Sequence, residues 1–192
     1  MRTPSNPFNI DQLIDELKSA ALSADAKAQV KSILKRAVQA PQWVAATIPD
    51  YADDDVILFE NDLISIWHCR FPINLSVPAH DHQMVATIAV YQGAEQNVLW
   101  TRGDSGAIEE KTELTVNAGD VLQLGPNAIH SVRSTDDMDS CAIHVYLGRL
   151  TTVERSLFDA KNGVVLHFDD DNYQRLVSTG PASAKPHDSQ LE

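Results

Sequence analysis

The hydrophobic pattern of this chain changes period once, near Pro49, and that change restricts what it can fold into. Before it, apolar residues recur at helical spacing. From Asn9, which reads as an N-cap, Ile10, Leu13, Ile14 and Leu17 fall on one helical face. A second run, capped by Ser23, carries Ala26, Val30, Ile33, Leu34 and Ala37, with Lys35 and Arg36 in its last turn, where they suit the helix dipole. Pro41 either stops this helix or starts a short third one, and Pro49 closes the region.

From Asp54 onward the pattern is one of short β-branched and aromatic segments. The expected strands are VILFE, LISIWHCRF, MVATIAVYQ, QNVLWTR, IEEKTELTV, DVLQLGP, IHSVRS and CAIHVYL. Between them END, FPINLSVP, GAE, RGDSG, NAGD, GPNA and STDDMDS read as turns. No helical period interrupts the strands, so the pattern predicts a mainly β sandwich or barrel under an N-terminal helical cover, not a parallel α/β sheet. The tail is mixed: a helical segment around Arg155, the strand VVLHF, a helix beginning near Asp169 to Asp171, and a disordered end, PASAKPHDSQLE. The expected division is a helical extension over 1–50, a barrel over 51–168, and a C-terminal helix and tail over 169–192.

Charge excludes some partners. Lys plus Arg number 15 against 27 Asp plus Glu, for a net charge of -12, and no basic stripe could neutralise a phosphate backbone, so nucleic acid is not an expected partner. No apolar run reaches the length of a membrane span and the N-terminus lacks a secretory signal, which points to a cytoplasmic protein. Cys69 and Cys141 sit in strand-like segments and read as reduced, buried thiols.

The chemistry concentrates in PAHDHQMVATI. Alternate residues of a strand share a face, so His80 and His82 can point the same way while Asp81 points opposite. Converging neutral imidazoles bind Fe, Zn, Cu or Ni well. His130 follows the turn in GDVLQLGPNAIH, at a strand entrance, and His144 in CAIHVYL shares a face with Ala142 and Tyr146. Glu95, just past Gly93, reads as a solvated strand carboxylate, with a role behind the ligands as the alternative. Trp67 and Trp100 read as packing residues, His68 as a strand histidine without chemistry, and His167 and His187 have no assignment.

These residues carry a resemblance to the cupin superfamily. PAHDHQMVATIAVYQG resembles the first cupin motif and GDVLQLGPNAIH the second, and the likeness runs from about Ile64 to Asp159. It implies a cupin double-stranded β-helix, or jelly-roll barrel. Many cupins add a glutamate shortly after the paired histidines; here Val85, Ala86 and Thr87 stand there. The thiol dioxygenases (cysteine dioxygenase and 3-mercaptopropionate dioxygenase) share that absence, and the resemblance is closest to them and to related bacterial metal-dependent double-stranded β-helix proteins. It implies His80, His82 and His130 as ligands of Fe(II), with Zn, Ni or Mn as other possible ions. Their Ser-x-His-x-Tyr relay is matched by His144 and Tyr146 but not by Ala142, which lacks the serine hydroxyl. Arg155, nine residues beyond Tyr146, matches an arginine that holds the substrate carboxylate in the bacterial mercaptopropionate enzymes, while the residues alone equally allow an exposed helix arginine paired with Glu154 or Asp159; Arg70 is a second candidate for an anion contact.

The implied reaction is oxidation of a small thiol carboxylate to its sulfinic acid. Partners would then be a small anionic substrate and dioxygen, with the chain acting as a monomer or homodimer. Two other readings stay open: a different three-histidine enzyme, such as a diketone or aromatic-diol oxygenase or a zinc enzyme, and a cupin that binds a small ligand without catalysis.

Overall fold

The computed structural model describes residues 8–103, 107–135 and 138–179. Three helices come first: α1 (Ile10–Ala21), α2 (Ala26–Ala37) and α3 (Pro41–Ala45). Then follow β1 (Asp55–Glu60), β2 (Ser65–Phe71), β3 (Leu75–Asp81), β4 (Ala86–Gln92), β5 (Ala94–Arg102) and β6 (Ile108–Asn117). The second half supplies β7 (Val121–Leu124), β8 (Ile129–Ser134), β9 (Ser140–Tyr146), β10 (Ser156–Asp159), β11 (Val164–His167) and α4 (Asp170–Leu176).

The pairings are nested. β5 pairs β6, β4 pairs β7, β3 pairs β8 and β2 pairs β9, all antiparallel. Successive rungs of this ribbon lie in alternate sheets, one ordered β1-β2-β9-β4-β7 and the other β11-β10-β3-β8-β5-β6. An antiparallel ribbon wound so that its rungs alternate between two facing sheets is a double-stranded β-helix, which leaves the inner faces of both sheets to form one interior. Gly93 makes the passage from β4 to β5 possible. Its φ is +66°, and a Cβ there would stand 2.5 Å from the carbonyl oxygen of Asp139.

Side-chain parity sorts the residues. On β9, Ile143 and Val145 face outward and pack with Ile64, Ile66, Ala89 and Tyr91 beneath Leu13, Leu17, Val30 and Leu34 of α1 and α2. The alternate residues Ala142 and Tyr146 face inward with Ala86, Ile88 and Val90. The helical cover thus seals the outer face of one sheet while the inner face remains for the site. Cys69 and Cys141 are free and buried, as expected.

Asn9 caps α1 as expected, its side chain accepting from the backbone N–H of Gln12 at 2.9 Å. Three local expectations are corrected. α2 is preceded by Asp25 at its cap position, and Ser23 hydrogen-bonds Asp25 in the turn before it. FPINLSVP, expected as a turn, contains the start of β3. Pro78 is accommodated because the β3–β8 register shifts between Val77 and His80, and a proline at a bulge removes no ladder hydrogen bond. The expected helix at Arg155 is instead a single 3₁₀ turn over Leu150–Thr152 followed by β10, whose Leu157 and Phe158 are buried against β3.

No helix among the described residues is long and apolar enough to cross a membrane. The expected disordered end, which includes His187, lies outside the described residues, as do parts of the turns RGDSG and STDDMDS.

Candidate metal centre and its cavity

His80 and His130 are directly opposed in the β3–β8 ladder, so strand pairing alone brings their side chains together. His82 lies just past the end of β3, where Gln83 adopts a left-handed backbone with φ of 55° and turns the chain. Asp81 points away, as alternation requires. Its carboxylate accepts from the backbone N–H of Ser156 at 2.9 Å and from the Gln83 amide at 2.7 Å, tying β3 to β10.

The three rings present one potential ligand atom each, all within 4.8 Å of one another. His80 Nδ1 lies 2.8 Å from the carbonyl oxygen of Pro78; a carbonyl only accepts, so Nδ1 carries the proton and Nε2 the lone pair. His130 Nδ1 likewise donates to Asn97 Oδ1 at 2.9 Å, which leaves its Nε2 as a lone pair. That nitrogen stands 3.0 Å from His82 Nε2, while His82 Nδ1 is buried without a partner. Burial pulls the His80 pKa down to about 4 and, with the neighbouring imidazoles, pulls His82 and His130 well below the ordinary value. All three are therefore neutral near pH 7, the form that coordinates metal. Buried, neutral, converging Nε2 atoms, two of them oriented by an acceptor behind the ring, fit a divalent cation of the imidazole-preferring class.

The cluster borders a cavity of about 280 Å³ also lined by Trp67, Cys69, Phe71, His144, Tyr146, Arg155, Phe168 and Tyr173. His144 Nδ1 and the Tyr146 hydroxyl are 3.0 Å apart, and the Tyr146 ring lies 5.0 Å from that of His82. Burial holds the Tyr146 phenol well above its usual pKa. Arg155, half-buried, stacks its guanidinium 4.0 Å over the Phe168 ring and makes no ion pair among the described residues. Burial lowers its pKa, but a guanidinium remains cationic throughout the physiological range.

Arg70 is not part of this group. On β2 the odd-numbered Trp67, Cys69 and Phe71 face the cavity, so Arg70 faces outward, where it hydrogen-bonds Asp54 at 2.7 Å and lies 3.6 Å from Asp50. An anion contact for it is therefore corrected: its charge is committed to surface carboxylates. The histidine His68 shares that outward parity and is buried near Tyr51 and Tyr91. Trp67 lines the cavity rather than only packing the sheet.

Of two buried polar residues on β5, sequence reasoning missed Asn97 and read Glu95 first as solvated. Asn97, fully buried, orients His130. Glu95, expected in solvent, is also fully buried, with Oε1 4.0 Å from His144 Nε2. Phe168 and the α4 residue Tyr173 were not expected at the site either. They line the cavity, with their rings stacked 5.8 Å apart.

No protein-family model matches the chain, and no curated protein matches it. Among solved structures, it is similar to an uncharacterised conserved protein with a double-stranded β-helix domain from Klebsiella pneumoniae, at 13% identity and a TM-score of 0.45 over 60% of this chain and 88% of that one. An RmlC-like cupin family protein from Methanocaldococcus jannaschii matches at 13% identity and a TM-score of 0.44, over 54% and 89% of the two chains. A mutant oxalate decarboxylase from Bacillus subtilis matches at 13% identity and a TM-score of 0.40, over 50% of this chain but 24% of that one. The nested strand pairing, not these likenesses, defines the fold.

Proposed function

We propose that the chain is a non-haem iron(II) dioxygenase that oxidises a small thiol carboxylate, similar to 3-mercaptopropionate or cysteine, to its sulfinic acid. One observation supports this above others: a ligand set of three neutral imidazoles, His80, His82 and His130, shares its cavity with a guanidinium, Arg155, that has no ion-pair partner among the described residues. With no carboxylate in the cluster, the charge of a bound dication is left for the substrate to balance, which favours an anionic sulfur. Iron(II), held by these residues, supplies access to dioxygen and a charge that lowers the thiol pKa.

The protein's own groups account for the rest. Arg155, oriented by its stack on Phe168, takes the substrate carboxylate in a two-point contact and so directs the sulfur inward. The thiol proton needs an acceptor inside the cavity, and His144 Nδ1, reached through the Tyr146 hydroxyl, is the base placed there. Phe168 and Tyr173, in the cavity lining, limit water there. In the net reaction two S–O bonds form and the O–O bond breaks; sulfur gives up four electrons and dioxygen takes four, so no external reductant is required.

The test is oxygen uptake by the iron-loaded protein on 3-mercaptopropionate, cysteine and cysteamine, with sulfinate identified by mass. Uptake is expected with the carboxylates, greatest for the acid lacking an amine, and not with cysteamine. Uptake with a diketone but no thiol, or with none of these compounds, overturns the proposal in favour of another three-histidine enzyme or a ligand-binding cupin.

A further inference from the structure

Glu95 is a buried carboxylate, 0% exposed, and neither of its oxygens has a hydrogen-bond partner among the described residues. His144 Nε2 lies 4.0 Å from Glu95 Oε1 and is itself buried and unpartnered. A carboxylate isolated in a barrel interior costs several kcal/mol unless it meets a donor, and an imidazole behind a reactive hydroxyl needs its tautomer fixed. Each group supplies what the other lacks. The separation exceeds a hydrogen bond by about 1 Å. Ala142, the next residue along the His144 face of β9, offers only a methyl group.

We propose that Glu95 is the positioning residue for His144. Its carboxylate accepts from His144 Nε2–H, which makes Nδ1 the lone-pair nitrogen and fixes the Tyr146 hydroxyl as a donor to that nitrogen. The array runs from β5 through β9 toward the histidine cluster without any of its members ligating metal. It deepens the dioxygenase reading in one respect, because it identifies what makes His144 a proton acceptor; the tautomer itself does not depend on that reading.

The experiment is ¹⁵N NMR of the histidine rings in metal-free protein, with His144 assigned by loss of its signals in His144→Gln. The wild type is expected to show His144 protonated at Nε2 and bare at Nδ1. Glu95→Gln, whose Oε1 still accepts, keeps that tautomer, while Glu95→Leu shifts it toward a mixture. Iron content stays at the wild-type level in both, and kcat in Glu95→Leu falls about tenfold or more with a much smaller change in Glu95→Gln. A wild-type His144 protonated at Nδ1 overturns the proposal, as does a folded Glu95→Leu with unchanged His144 shifts. Should Glu95→Leu not fold, the wild-type tautomer alone decides. If no thiol supports oxygen uptake, the dioxygenase reading fails while the nitrogen shifts still report on Glu95.

Discussion

Burying three neutral histidines makes the metal-free protein sensitive to mild acid, and the size of the effect follows from His80. Its pKa is about 4 in the fold against the ordinary value of 6.5. Below 6.5 the unfolded chain takes up a proton that the folded chain refuses. The stability linked to this group is therefore full above pH 6.5 and is lost as pH falls toward 4. At ~1.4 kcal/mol per pKa unit, the loss between pH 8 and pH 5 is about 2 kcal/mol from His80 alone. His82 and His130 shift in the same direction and add to it. Urea denaturation of chelator-treated protein at the two pH values measures the total. The same pair of measurements on His80→Gln, which cannot titrate, removes the His80 share together with its coupling to His82 and His130, while carboxylates elsewhere titrate alike in both proteins. The expected result is a pH dependence flatter by about 2 kcal/mol in the variant. Equal pH dependence in the two proteins refutes the reasoning, because it requires that His80 be solvated in the folded state.

Other perturbations separate the groups of the site. Asn97→Leu removes the acceptor behind His130 and is expected to weaken iron binding about 10- to 100-fold in a competition titration, with the fold retained. Arg155→Met removes a charge-assisted contact worth about 1.5–3 kcal/mol, so KM for the thiol carboxylate rises at least about tenfold in oxygen-uptake assays while iron content is unchanged. Leu34, 0% exposed where α2 meets the outer face of the barrel, is remote from the cavity. Leu34→Ala is expected to cost about 2–5 kcal/mol in thermal or urea denaturation without altering iron content.

The alternation of CAIHVYL was enough to place His144 and Tyr146 on one face, because strand parity admits one answer when Ile143 and Val145 must be buried under helices. The same parity excluded Arg70 from the interior, since Cys69 and Phe71 line the cavity, but the sequence does not say which face of β2 looks inward. β3 was hidden because Pro78 breaks the reading of a strand, and only the register shift beside it shows how the proline is tolerated. β5 concealed the most. Glu95 and Asn97 lie on one face and Gln96 and Val98 on the other, so hydrophobicity does not choose between them. The choice is made by the Gly93 turn and by pairing with β8, contacts distant in sequence. Arg155 reached the cavity although its segment was expected to be helical: β10 pairs with β3 at His80, which brings the residue just before it to the cavity wall.

The central claim is that His80, His82 and His130 hold one divalent ion between them. Metal analysis of freshly purified wild type and of His80→Ala, His82→Ala and His130→Ala tests it most directly. Iron is expected near one ion per wild-type chain and near zero in each folded variant. Wild-type iron content in His82→Ala would contradict the account.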